Sequence, residues 1–181
     1  MDLYLASPVP PFPSSVGASF GTFTTRQDVS PQPLPVVQPN QIHLGTKIMI
    51  EAVGEWATTA TPTLILGFAI GTNASPSVIT TVIAESGVSP AATAVAWPWK
   101  MDWCGVCTAT GVSGSVVGQG GLLLGSSLTA WATIPIPITA ALRTFTWNTT
   151  IERAVGVCAT YSASNAANTV KVNNLSVLLL N

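Results

Sequence analysis

Several residues in this chain have types and spacings that chemistry uses. Cys104-Gly-Val-Cys107 has the CxxC spacing of zinc and thiol redox sites, but a zinc site needs four ligands and only Cys158 and His43 remain to complete one. On an extended strand the two thiols also point to opposite faces. His43 is the only histidine, so a Ser-His-Asp triad must use it, yet it stands beside a proline-rich stretch with no nucleophile motif nearby. It reads as a turn or interface residue. Glycoside cleavage needs two carboxylates at a set separation, and Glu51, Glu55, Glu85, Asp102 and Glu152 are available, none in a distinctive setting. Asp102 beside Lys100 reads as a surface or interface ion pair. Gly118-Gln-Gly-Gly121 is glycine-rich but precedes a strand, so it lacks the helix N-terminus that binds phosphate and reads as a turn or bulge. No catalytic, cofactor-binding or metal-binding residue is assigned, and the chain reads as a non-enzyme.

The residues that build outweigh the residues that react. In Ala96 to Val112, Trp97, Trp99, Met101 and Trp103 fall on one side at period two, with Pro98, Lys100, Asp102 and Cys104 on the other. This is a strand, and rings that each bury ~150–250 Å² place its tryptophan face in a core or a subunit interface. Further strands are expected from Thr46 to Trp56 and at 63–71, 78–84, 116–124, 142–151, 153–161 and 169–180, with one more at 20–27. Leu175, Val177 and Leu179 alternate on the last of these as core or interface positions. Both that strand and Gly121 to Gly125 are apolar on their two faces, which suits a core on one side and a neighbouring subunit on the other. Eight or nine short strands with turn signals between them predict an all-β, jelly-roll-like antiparallel β-sandwich.

The composition narrows the partners. Six basic and seven acidic residues in 181 make 7% charged, against ~25% in ordinary domains, so much of the surface is expected to be covered by protein. The scattered basic residues argue against nucleic acid, and no apolar run reaches the ~18–20 residues of a membrane span. The opening MDLYLASPVPPFP carries an acid where an export signal needs basic charge, and three cysteines fit a reducing cytoplasm. Residues 1–40 hold eight of the 14 prolines, while Tyr4, Phe12, Phe20 and Phe23 remain to be buried. Residues 1–41 therefore read as an extended arm laid along a neighbour, and residues 42–181 as the sandwich.

The succession TKIMIEAVGEWATTATPTLILGFAIG, AWPWKMDWCGVC, TGVSGSVVGQGGLLLG and NTVKVNNLSVLLLN, over roughly residues 42–181, resembles small virion proteins of tailed bacteriophages. The resemblance implies a jelly-roll or related sandwich, commonly trimeric, that decorates or cements the capsid or serves as a head fibre or minor tail protein. It implies no site residues. The expectation is a homotrimeric capsid decoration protein, assembled in the host cytoplasm and resident in the virion. Its arm would hold the major capsid protein or neighbouring subunits, with no cofactor, nucleic acid or membrane involved. A minor tail or fibre-tip protein that binds host carbohydrate is the alternative.

Overall fold

A computed structural model describes residues 3–5, 20–59, 62–72, 78–89, 94–127 and 130–181. Its strands are β1 (Leu3–Leu5), β2 (Phe20–Gly21), β3 (Gln27–Asp28), β4 (Val36–Val37), β5 (Lys47–Thr58), β6 (Leu64–Thr72), β7 (Val78–Glu85), β8 (Ala94–Ala109), β9 (Ser115–Ser127), β10 (Ala130–Ile136), β11 (Thr144–Thr146), β12 (Arg153–Tyr161) and β13 (Thr169–Leu180). They form two antiparallel sheets. The larger runs β1-β13-β5-β8-β9-β10, with β11 also on β9 and β2 also on β13; the smaller runs β3-β12-β6-β7, with β4 also on β12. The chain is an all-β sandwich of the jelly-roll-like kind that the alternation predicts.

Parity explains the layers. In β8, Trp99, Met101 and Trp103 are buried and Trp97 packs against the same core, while Pro98, Lys100, Asp102 and Cys104 face out. Register carries that sorting to the neighbours: Ile50 stands opposite Trp103 and Ala52 opposite Met101, and Met101 opposite Leu122. Leu175, Val177 and Leu179 of β13 point into the same core. Facing them from the smaller sheet are Leu64, Leu66, Phe68 and Ile70 of β6 and Val155, Val157 and Tyr161 of β12. The Tyr161 hydroxyl reaches across the layers to the carbonyls of Ala57 at 2.9 Å and Thr169 at 2.7 Å, so it ties β12 to the larger sheet.

Glycines make room for the rings. A Cβ on Gly105 would overlap the Trp103 ring, one on Gly118 the same ring and the Cys104 carbonyl, and one on Gly54 the Lys171 carbonyl and then the Trp99 ring. Gly118-Gln-Gly-Gly121 is therefore not a turn but the middle of β9, where missing side chains admit a tryptophan. Phe145 closes on Trp103 edge-on at 5.7 Å, with Trp147 behind it.

The N-terminal boundary differs from the expected one. Phe23, Val29, Leu34 and Val37 belong to the core, and β3 and β4 pair with β12, so packing shows no break at residue 41. Phe23 lies 5.5 Å from the Tyr161 ring, inside its own chain, and half-buried Phe20 packs against the same core beside Val170 of β13. Tyr4 is opposite Leu179 in the β1–β13 pairing, and Phe12 lies outside the described residues. The strand expected at 142–151 shrinks to β11 after a short 3₁₀ turn, Ala140–Arg143.

Deleting residues 1–40 removes four core side chains worth ~1.5–3 kcal/mol each, against a total stability of about 5–15 kcal/mol. The truncated chain should lose its cooperative thermal transition. A truncated chain that melts at the full-length midpoint would contradict this placement.

Candidate functional site

The groups with chemical potential are dispersed. Cys104 is exposed on the outer face of β8, Cys107 is buried on its inner face and Cys158 is buried in the other sheet. His43 is exposed in the turn before β5, where its backbone N–H donates to the Thr46 hydroxyl at 2.9 Å. Among the described residues no three His, Cys, Asp or Glu side chains stand close enough to hold a metal ion.

One polar cluster roofs the smaller sheet. Arg26 donates to both oxygens of Glu85, at 2.7 and 2.9 Å, and Glu85 passes over Gly67 to reach it. Beneath them Cys158 Sγ lies 3.9 Å from Glu85 Oε1. Burial, with the Glu85 charge adding to it, pushes the Cys158 thiol up from about 9 to about 12. A thiol so protonated and covered is a packing group, not a nucleophile. The hydrogen bonds from Arg26 to Glu85 hold the guanidinium more firmly charged.

The larger sheet presents a different surface. Its outer face carries Lys47, Glu51, Glu55, Lys100, Asp102 and Lys171, half of the six basic residues and nearly half of the seven acidic ones. Lys100 Nζ is 2.8 Å from Glu51 Oε1, and that contact raises the lysine's affinity for its proton. Asp102 stands directly opposite Glu51. Like charges in that position repel across the ladder.

Apolar groups flank these charges. Met49 (43% exposed), Val106 (36%) and Val117 (40%) lie toward one end, and Leu123 (39%) and Trp131 (54%) toward the other. Trp131 stands opposite Gly125 on β9, so nothing on that neighbour screens its ring. Scattered single apolar residues are ordinary on a surface; several on one flat sheet face mark a contact area. Of the residues named from sequence as core or interface, Trp99, Trp103, Val177 and Leu179 lie deep inside, with Leu175 and Trp97 nearer the rim. Trp131 and Met49 went unnamed, since only strand register shows that they share a face.

No protein-family model matches the chain, and no curated protein matches it. Among solved structures, the metal-free form of lectin I-B4 from Griffonia simplicifolia is similar at 8% identity and a TM-score of 0.35, covering 99% of each chain, a likeness too distant to carry an argument.

The buried thiol sets a pH dependence. Between about 9 and about 12 the unfolded thiol has lost a proton that folded Cys158 keeps. The folded state then binds more protons, so stability falls as pH rises, by up to about 1.4 kcal/mol per pH unit. Burial raises Cys107 and Tyr161 in the same direction. The urea midpoint should drop between about pH 8 and pH 10.5, and less steeply in Cys158→Ala. An identical slope in wild type and Cys158→Ala would contradict the assignment.

Proposed function

We propose that this chain is a non-enzymatic structural protein of a tailed-bacteriophage virion, a homo-oligomeric decoration or cement protein that acts through its surfaces. The observation that carries the reading is the outer face of the larger sheet, where exposed apolar side chains and mutually balanced charges stand together. The dispersal of its thiols, histidine and carboxylates supports a role in contact and not in turnover. The sequence resemblance supports the particle, with the major capsid protein as the partner. Residues ahead of Phe20, with Phe12 and the prolines around it, are the part assigned to gripping the shell.

A second reading, a minor tail or fibre-tip protein that binds host carbohydrate, draws on Trp131, whose exposed ring suits stacking on an apolar sugar face.

Imaging of particles assembled with and without the protein tests the first reading. Added density on the capsid lattice is expected, reduced when residues 1–19 are removed. Density at the tail tip alone, with cell attachment abolished by Trp131→Ala, would replace it by the second.

A further inference from the structure

We propose that the outer face of the eight-stranded sheet pairs with the same face of a second copy of this chain, about a two-fold axis running across the strands, so that Lys100 of each copy meets Asp102 of the other. The proposal concerns the chain alone and stands or falls whatever particle it serves.

The sheet edges are poor routes to assembly. Pro135 in β10 and Pro137 just after it remove backbone donors, β7 is broken by two register shifts against β6, and β1, β2, β3 and β4 are each two or three residues long. Prolines, bulges and short strands are the devices that keep sheet edges from pairing. The outer side of the smaller sheet offers little, because Ala69, Ala154 and Cys158 are buried and Arg26 and Glu85 lie over the last. Five of the exposed large apolar side chains instead sit on the larger sheet's outer face.

Size permits the contact. Five strands from β13 to β10, about 4.8 Å apart, and the Lys47 to Glu55 length at about 3.3 Å per residue outline a plane on the order of 600 Å². Stable interfaces bury about 800 Å² per partner, and side-chain relief brings the face near that figure.

Charge selects the occupant. The three lysines and three carboxylates sum to zero, so two such faces do not repel. Lys100 and Asp102 stand two apart on the outer side of β8, and an axis crossing the strand near Met101 exchanges them. Within one chain Lys100 Nζ is held by Glu51 and attracts Asp102 only through space, while Asp102 stands directly opposite the like charge of Glu51. The copy's Lys100 gives Asp102 a direct contact with a cation, where its own chain's Lys100 is turned to Glu51. The same axis lays the Met49, Val106 and Val117 end of one face over the Leu123 and Trp131 end of the other, two sheets packed about 10 Å apart as inside a sandwich.

The test is sedimentation of purified full-length protein at micromolar concentration. A dimer is expected. Lys100→Asp, with two acids on β8, and Asp102→Lys, with two lysines, should each weaken self-association by about tenfold or more, and mixing the two variants should restore it as a heterodimer. Cys104, the one exposed cysteine, should react with a thiol reagent several-fold more slowly in the dimer than after dilution. That reading on wild type decides the matter even if a variant folds poorly. A monomer at these concentrations, a trimer, variants that associate like wild type, or a Cys104 equally reactive at all dilutions would each overturn the proposal.

Discussion

An indole ring directed inward from a central strand needs space that ordinary side chains on the adjoining strands would fill. Here glycines supply it. Trp103 lies over Gly105 of its own strand and Gly118 of β9, and Trp99 over Gly54 of β5. With those rings seated, β8 has one possible parity, because a one-residue slip would send every tryptophan to the solvent side. The parity of β8 then sets that of β5 and β9 through the ladder, and through β5 that of β13. The outer face with Lys100, Asp102 and Cys104 is thus a consequence of the core.

The smaller sheet is joined by another means. Where β7 ends, the Ser86 and Ser89 hydroxyls accept from the backbone N–H groups of Leu66 and Leu64, at 3.1 and 2.7 Å, and take over positions a continuing strand would have served. Ser30 does the same for Val157 at 2.7 Å beside β3. Buried Asn168 accepts from Thr59 N–H at 3.1 Å and donates to the Ala163 carbonyl at 2.9 Å, which fixes the connection into β13. Such side chains satisfy backbone groups that would otherwise be buried without partners. A chain with so few charges holds its irregular parts with hydroxyls and amides.

Strand β8 was legible because three tryptophans at period two leave one reading, and β5 and β12 followed from their own alternation. Strand β10 was not, since Thr-Ile-Pro-Ile-Pro reads as a loop until an edge strand is seen to need no donors on its free side. Prolines also hid the true start of the sandwich. Pro31, Pro33 and Pro35 lie between β3 and β4 along the edge of β12, where few donors are required, while Val29 just before them and Leu34 among them are buried. The glycines of β9 read as a turn because their role is steric and concerns a ring on another strand. Arg26 and Glu85, 59 positions apart, and Glu51 with Lys100 meet only through register. The exposed face was therefore the least legible part, although Met49, Val106, Val117 and Leu123 stood in strands already expected and only Trp131 lay on one that was not.

The claim that tryptophan rings occupying glycine space organise the molecule is tested most directly by urea unfolding of Gly105→Ala. By strand preference alone, alanine is better than glycine by roughly 0.5–1 kcal/mol. The atoms nearest the added Cβ all belong to the Trp103 ring, which is buried and braced by Phe145, so overpacking should reverse that sign and destabilise by about 1–3 kcal/mol. The penalty should disappear when the same change is made in a Trp103→Ala background. A Gly105→Ala protein as stable as wild type or more so would contradict the account.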